Sequence, residues 1–317
     1  MILLIGEGGQ ERMSKAILSA LQEREEDVIW LDQNTLPVDN TISIRVVDGK
    51  LQGRLYLKDK MEIDLDDING IYTRLSYLQT DLNLNSAQKD FMQAERAIAI
   101  ELWLEHTDAM VINRIKSQRT NGSKLLQTWI VEQYGFKVPE SLLTNDPEKV
   151  KEFYEANKKH GIIYKSASGE RSMVTKFTEE DFERLVNLKS CPSLFQKIVP
   201  GIDIRIHTLA SGEVFPTEIR SESSDYRYDS ERMLEPIKIP EKVKETCVNL
   251  TRDLGLYISG IDTRRSPDGE FYCFEVNPSP AFYWYEAQTG QPISEAVAEL
   301  LIKGKDFVKK GLVKRKY

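Results

Sequence analysis

Three oxygen-bearing side chains lie close together near the end of the chain: Asp262, Glu275 and Asn277. Two apolar, strand-like runs flank Asp268-Gly269, a dipeptide typical of tight β-hairpin turns. Side chains two apart on a strand point to one face, so Glu275 and Asn277 share a face, and pairing across the hairpin can bring Asp262 to it. Each acid alone would be typical of a solvated strand end. The trio on one hairpin favours a Mg²⁺ site, because Mg²⁺ prefers oxygen ligands.

Two lysines farther up the chain could face phosphate groups. Lys124 lies in the first turn of a predicted helix, and Lys165 ends a predicted strand. Directly after Lys165 comes a loop of small residues, 166–172, whose backbone N–H groups could cover phosphates. A lysine at either position is also typical of a solvated surface. The residues alone therefore leave phosphate binding and simple surface exposure open.

The N-terminal third must form a layer that supports these groups. Residues 1–5 and 28–31 are predicted strands on either side of a glycine-rich turn and a helix, which indicates a Rossmann-like layer. The turn Gly6-Glu7-Gly8-Gly9 matches neither the dinucleotide fingerprint nor a P-loop, so we interpret it as a tight turn. A hairpin around Asp48-Gly49 and a strand at 68–73 follow.

A long helix is predicted over 86–106. Apolar side chains recur along it at helical spacing, at Phe91, Ala94, Ile98 and Leu102. This spacing is typical of an amphipathic helix with one apolar stripe.

Composition excludes several classes of protein. The 317 residues are 40% hydrophobic and 29% charged, as in soluble globular proteins. The net charge of −7 argues against general nucleic-acid binding. The sequence contains neither an apolar run of membrane-spanning length nor a secretory signal, which predicts a cytoplasmic protein without a membrane partner. The three histidines are isolated in sequence, so a Ser/His/Asp hydrolase has no support.

The C-terminal motif resembles a known family. Asp262, followed by Glu275-Val276-Asn277-Pro278-Ser279-Pro280, is similar to the metal-binding end of ATP-grasp ligases, in particular the ribosomal-protein glutamate ligases. The segment from Tyr285-Glu286 to Thr289-Gly290-Gln291-Pro292-Ile293 also resembles the macrocyclases that make microviridin-type (graspetide) peptides. The resemblance extends from about residue 113 to residue 301.

The resemblance implies an α/β protein of ATP-grasp architecture. A Rossmann-like N-terminal domain (1–115) would precede a central lid subdomain (116–199) and a C-terminal subdomain (200–317) that carries the metal site. The nucleotide would lie between the two α+β subdomains. The lid, about 138–199, is expected to close on the nucleotide and to be most mobile at 166–172.

Roles for individual residues follow from the family pattern. Asp262, Glu275 and Asn277 would hold Mg²⁺, and the other implied nucleotide contacts are Lys124 and Lys165 to phosphates, Gln196, Lys197, Ile198 and Val199 along the adenine, and Asp203 to the ribose. Arg205 and Arg220 are expected on neighbouring strands that face one cleft, where they would stabilise the phosphoryl group in transfer. Arg265 is expected to face this cleft in preference to Arg264, and Arg227 is a further candidate.

The implied reaction uses ATP and Mg²⁺ to convert a substrate carboxylate to an acyl phosphate, which an amine or a hydroxyl then attacks. A precursor peptide is one option for the substrate, and a homodimer is one option for the assembly. Two alternatives stay open: a small-molecule or amino-acid ligase of the glutamate-ligase type, and a non-catalytic nucleotide-binding protein. The aromatic segment 281–285 is either core packing or part of an acceptor pocket.

Overall fold

The computed structural model describes residues 1–7, 11–34, 39–75, 85–168, 174–220 and 233–314. The first third of the chain contains two sheets and two long helices. In chain order these elements are β1 (Ile2–Gly6), α1 (Arg12–Gln22), β2 (Val28–Asp32), β3 (Thr41–Val47), β4 (Lys50–Tyr56), β5 (Glu62–Asp64), β6 (Gly70–Thr73), α2 (Ser86–His106) and β7 (Met110–Ile112).

A parallel sheet of order β2-β1-β6-β7 forms the N-terminal layer. Every residue of β1 is buried, which explains its unbroken apolar sequence, since a central parallel strand is covered on both faces. The two predicted strands and the helix between them are therefore confirmed, whereas Gly8 and Gly9 of the predicted turn lie outside the described residues. The strands β3, β4 and β5 form a separate antiparallel sheet. Its first turn has positive φ at both Asp48 and Gly49, as a tight hairpin requires.

The helix α2 has the predicted bounds but not the expected buried stripe. Phe91, Ile98 and Leu102 are 69%, 57% and 39% exposed. Its buried residues lie on another face and include Ile100, Trp103 and Leu104, which pack against the parallel sheet. The helical spacing thus predicted the helix correctly but selected the wrong face, because the neighbouring sheet decides which face is covered.

The middle of the chain builds an antiparallel sheet of order β10-β9-β11-β8. Its elements are α3 (Ile115–Gln118), α4 (Lys124–Gln133), β8 (Ser141–Thr144), α5 (Pro147–Ala156), β9 (Ile162–Lys165), β10 (Thr175–Phe177), a 3₁₀ helix (Glu179–Ser190) and β11 (Ser193–Lys197). Edge-to-face contacts of Phe177 with Tyr154, Phe182 and Phe195 fill the space between this sheet and its helices.

The last third contains a five-stranded antiparallel sheet of order β14-β13-β12-β15-β16. Its elements are β12 (Ile202–Leu209), β13 (Val214–Arg220), β14 (Met233–Pro236), α6 (Glu241–Asp253), β15 (Ile258–Arg265), β16 (Phe271–Asn277), α7 (Tyr283–Thr289) and α8 (Ile293–Val308). Ile204, Ile206 and Ile261 pack one face of the sheet against α6. Within the described ranges, no helix is long and apolar enough to cross a bilayer.

The C-terminal helix α8 returns to the N-terminal sheet and shares its core. Val297 and Leu301 of α8 belong to the same buried cluster as Ile2 and Leu4 of β1. The contact is closest at Gly70 of β6, where an added Cβ would lie 2.6 Å from the carbonyl oxygen of Leu301. The N-terminal sheet and the C-terminal helix α8 therefore pack backbone to backbone at Gly70, as closely as only glycine permits.

We predict that Gly70→Ala lowers the free energy of unfolding by about 1–3 kcal/mol, because the methyl group would overlap the α8 backbone. The measurement is chemical denaturation. Gly6→Ala is the matched control in the same sheet, since its Cβ would have only ordinary contacts, the nearest at 3.7 Å. Equal destabilisation by the two substitutions would contradict the close approach of α8.

Candidate active site

Three neighbouring strands of the C-terminal sheet, β12, β15 and β16, place Arg205 and the two predicted acids in one row. Arg205 on β12 lies opposite Asp262 on β15, and Asp262 lies opposite Glu275 on β16. Directly opposed residues of antiparallel strands point to the same face, so these three side chains share a face. Asn277 lies opposite Gly260, in the next row on that face. The predicted convergence of the trio is thus present, and metal binding by it stays a prediction.

A nearly buried ion pair orders the centre of this row. Nη1 of Arg205 donates to Oδ1 of Asp262 at 2.7 Å, and the Arg205 residue is only 6% exposed. The guanidinium lies across Gly260, where any Cβ would overlap it. Gly260 is therefore required for the position of Arg205.

Helix α4 holds the β16 end of the site. The side-chain amide of Gln127 makes two hydrogen bonds of 2.8 Å to the backbone of Val276. Just before the helix, Nδ2 of Asn121 donates to Oε1 of Glu275 at 2.7 Å. No role was predicted for Asn121 from the sequence. Its place in Asn-Gly-Ser-Lys, beside a lysine already assigned to phosphates, was the available signal.

Residues after β16 are fixed by two further contacts. Oδ1 of Asn277 accepts from the N–H of Ser279 at 2.8 Å. The buried side chain of Asn113, which follows β7, donates to the carbonyl oxygens of Ile258 and Pro278 at 2.7 and 2.6 Å. The end of the parallel sheet therefore positions the segment that carries Asn277.

The two predicted phosphate lysines lie at one loop. Nζ of Lys124 donates to Oγ and O of Ser166 at 2.9 and 3.2 Å, and its backbone N–H donates to Ala167 O at 3.0 Å. Lys165 is the last residue of β9, immediately before that loop. The start of α4 is thus bound to the small-residue loop. Residues 169–173 of the loop lie outside the described ranges.

The segment predicted to run along adenine, residues 196–199, is hydrogen-bonded to residues 140, 141 and 161. Nε2 of Gln196 donates to Ser141 Oγ at 3.0 Å, and the N–H groups of Lys197 and Ile198 donate to the carbonyl oxygens of Glu140 and Gly161. In this conformation a backbone donor for the base would come from Val199. Adenine recognition here stays a prediction.

Asp203 forms a two-pronged ion pair with Arg264, with Nε–Oδ1 at 2.7 Å and Nη2–Oδ2 at 2.8 Å. Arg264 also donates to Val199 O at 2.9 Å, and its guanidinium lies 5.5 Å from the centre of the Phe274 ring. Because Arg264 lies opposite Asp203, it shares the face of Arg205 and Asp262. The expectation that Arg265 faces this side is therefore wrong. The ribose contact of Asp203 stays a prediction.

Arg220 does not lie on the same face of the sheet as Arg205. Arg205 lies opposite Thr217, so alternation along β13 puts Glu218 and Arg220 on the other face. There Arg220 bonds Glu218 and Glu235 at 3.0 and 2.9 Å, and Arg265 bonds the second oxygen of Glu218 at 3.0 Å. The expectation that the two arginines face one cleft is wrong, because the register separates them. Arg227 lies outside the described residues.

A buried histidine accompanies Arg205 on β12. His207 is fully buried, with its ring 4.8 Å from that of Tyr285 in an edge contact. Burial, and then the charge of Arg205, hold the pKa of His207 well below its usual value, so the imidazole is neutral at pH 7. Phe282 and Tyr285 are buried, which supports core packing for this part of the aromatic segment.

We predict that the effects of Gly260→Ala and Arg205→Met on the free energy of unfolding are strongly non-additive. The added methyl group would displace the guanidinium and lower the free energy of unfolding by about 1–3 kcal/mol. In the Arg205→Met background most of that loss should disappear, because the overlapping group is gone. A double-mutant cycle by chemical denaturation measures this coupling, and additive effects would contradict the assigned position of Arg205.

Comparison with known proteins identifies the family of this chain. Residues 121–301, more than half of the chain, match the RimK-like ATP-grasp domain. A probable alpha-L-glutamate ligase of Parasynechococcus marenigrum (strain WH8102) is 25% identical over 206 residues, which span 62% of this chain but only 44% of that protein. N-acetylaspartylglutamate synthase A of Mus musculus is 25% identical over 303 residues, 89% of this chain and 73% of that protein.

Solved structures share the fold along almost the whole chain. Macrocyclase MdnC of Microcystis aeruginosa MRC, bound with precursor peptide MdnA, has a TM-score of 0.82 at 23% identity, covering 96% of this chain and 100% of its own. A Chryseobacterium gregarium RiPP-associated ATP-grasp ligase, in complex with ADP and a leader and core peptide, has a TM-score of 0.83 at 23% identity, covering 95% and 96%. The fold is therefore ATP-grasp, and the chain belongs to the RimK-like ATP-grasp family.

Proposed function

We propose that this protein is an ATP-dependent ligase that joins a carboxylate to an amine or a hydroxyl through an acyl phosphate. One observation carries the proposal: the row of Arg205, Asp262 and Glu275 on one face of the C-terminal sheet, in a chain of the RimK-like family. A buried cation beside two acids suits the handling of phosphate charge and a metal ion at one place.

The donor set fits Mg²⁺. Asp262 and Glu275 are directly opposed; the Asp262 carboxylate accepts a hydrogen bond from Arg205, and the Glu275 carboxylate accepts one from Asn121. Among the residues that the structure describes, the buried Oδ1 of Asn121 has no hydrogen-bond partner, as expected of a polar group next to a cation site. The described ranges contain no metal-holding group of three His, Cys, Asp or Glu side chains. Two acids and one amide agree with Mg²⁺, which takes its remaining ligands from water and phosphates.

The side chains of the site would have three separate roles: holding the metal ion, stabilising the phosphoryl group and binding the phosphates from the lid. Asp262, Glu275 and Asn277 would hold Mg²⁺, which when bound supplies charge neutralisation for the phosphates. Arg205 keeps its charge despite burial and offers a fixed fork of donors to phosphoryl oxygens. Lys124 and Lys165 would approach the phosphates from the lid side. Because Lys124 already contacts Ser166, nucleotide entry is expected to rearrange that contact as the lid, about 138–199, closes.

The relatives support a peptide as the substrate. The structures of MdnC and of the Chryseobacterium gregarium ligase contain precursor or leader and core peptides. Two structures of the ATP-grasp ligase PsnB contain a minimal precursor, or a phosphomimetic variant of it, together with Mg and ADP. We therefore propose modification of a ribosomal peptide or protein. A second candidate, an amino-acid ligase acting on small molecules, is favoured by the likeness to N-acetylaspartylglutamate synthase A along 89% of this chain.

The experiment is Mg²⁺-dependent ADP release with candidate peptides and amino acids, with hydroxylamine added to trap the acyl phosphate as a hydroxamate. We predict that Glu275→Gln reduces the rate at least about a hundredfold while the fold is retained, because the metal loses a charged ligand. Glu270→Gln is the matched control, since Glu270 precedes the same strand and is exposed.

Two outcomes would contradict the proposal. Wild-type turnover in Glu275→Gln would show that Glu275 is not a required metal ligand. If the wild-type protein releases ADP with a carboxylate but hydroxylamine traps no hydroxamate, the proposed acyl-phosphate intermediate is contradicted.

A further inference from the structure

The strand β3 is a long free edge of the small antiparallel sheet β3-β4-β5. It has seven residues, and among the described residues its backbone bonds only to β4. The other edge strands in the described ranges have five residues or fewer, except β16, which exchanges backbone hydrogen bonds with Lys137. A long edge strand that no other element covers is a template for pairing with another chain.

The sequence of β3 lacks the features that protect a free edge. Its residues, Thr-Ile-Ser-Ile-Arg-Val-Val, are mostly β-branched and include neither proline nor lysine. Its register with β4 has no shift along the whole strand, so no bulge bends the edge away. Val46 is 72% exposed at this edge and shares a face with Ile42 and Ile44. A partner that continues the sheet is therefore expected.

The hairpin turn decides which backbone groups of β3 are free. Val47 and Lys50 pair across the two-residue turn Asp48-Gly49, whose φ angles are both positive, so they form a hydrogen-bonded pair. Hydrogen-bonded and non-hydrogen-bonded pairs alternate along an antiparallel ladder, and the odd-numbered residues of β3 therefore bond to β4. The free edge carries the N–H and C=O groups of the even-numbered residues: Ile42, Ile44 and Val46.

An antiparallel copy of β3 fits this edge when a two-fold axis passes through Ile44. Ile44 then pairs with Ile44 of the second copy, and Ile42 pairs with Val46, so the free groups form about six backbone hydrogen bonds. Arg45 lies opposite Ser43. Moving the axis to residue 45 would oppose Arg45 to its own copy, and like charges directly opposed destabilise a sheet. Moving it to residue 43 would leave Val46 opposite a residue that precedes β3. The sequence therefore favours one register.

The same register covers the exposed apolar edge. Directly opposed residues of antiparallel strands point to one face, so Val46 of each copy would pack against Ile42 of the other. Ile42 and Ile44 already pack against the buried cluster of the N-terminal layer. The pairing would extend both clusters across one continuous sheet. An interface about a two-fold axis uses the same surface of both copies, and β3 meets this condition.

We propose that β3 pairs with β3 of a second copy of this chain, which makes the protein a homodimer with one sheet running through both copies. This inference goes beyond the proposed ligase function and does not depend on it. The occupant of the edge is a second copy because the strand is complementary to itself in hydrogen bonding, in apolar contact and in the placement of Arg45.

Analytical ultracentrifugation of the full chain tests the assembly. The wild type should have the mass of two chains. Val46→Pro removes an N–H from the free edge and leaves the β4 ladder intact, so it should raise the dimer Kd at least about tenfold. Val46→Thr is the matched control, because it keeps the N–H and the β-branched shape, and its Kd should stay within about threefold of wild type. Circular dichroism of each variant checks that the fold is retained.

Disulfide cross-linking tests the register with variants that change exposed side chains only. The background is Cys191→Ser, because Cys191 is exposed and the other two cysteines are buried. A mixture of Ser43→Cys and Arg45→Cys proteins should form a covalent heterodimer, identified by mass spectrometry, since directly opposed Cβ atoms lie within disulfide reach. A mixture of Thr41→Cys and Arg45→Cys proteins is two residues out of register and should yield at least about tenfold less heterodimer.

Three results would overturn the proposal. A wild-type protein that stays monomeric at the highest soluble concentration would exclude the homodimer. Equal Kd values for Val46→Pro and Val46→Thr, whether both match the wild type or both are raised, would exclude backbone pairing at β3. Equal yields from the two cross-linking mixtures would exclude the register centred on Ile44, and this test holds even where Val46→Pro fails to fold.

Discussion

The ion pair between Arg205 and Asp262 is the constraint on which the rest of the site depends. A guanidinium that is 6% exposed must have a partner, because an unpaired buried charge costs several kcal/mol. The partner is available only because β12 and β15 pair in the register that opposes the two residues, and only because Gly260 leaves space for the side chain. The same register puts Glu275 next to Asp262 and sends Arg220 to the other face. One pairing thus decides which charged groups can act together.

The site is assembled from parts of the chain that are distant in sequence. Asn113 and Arg74, at the ends of two parallel strands, bond the residues on either side of Ser279. Asn121 and Gln127 hold β16 from the side of α4, and α8 packs against Gly70. These contacts fix the position of Asn277 relative to the N-terminal sheet. An enzyme that joins two substrates needs such fixed positions, since orientation supplies much of the rate.

Much of this arrangement could be predicted from local patterns. The alternation along 275–277 and the Asp268-Gly269 turn predicted the row of acids, because both are properties of neighbouring residues. The two errors about arginines have one cause: alternation gives relative faces within a strand, but the register between β12, β13 and β15 depends on the loops and on packing. The helix α2 shows the same limit, since Phe91 and Ile98 have helical spacing yet are exposed. Asn121 was missed because its partner Glu275 is 154 residues away.

The most direct test compares Arg205→Lys with Arg220→Lys at saturating ATP, in the hydroxylamine trapping assay. Lysine keeps the charge but loses the planar fork of donors. Since only Arg205 lies beside Asp262, Arg205→Lys should reduce the rate at least about a hundredfold, as the loss of a preorganised donor typically does. Arg220→Lys, which changes an exposed ion pair on the other face, should stay within about threefold of wild type. Equal loss in both variants, or loss in Arg220→Lys alone, would contradict the account.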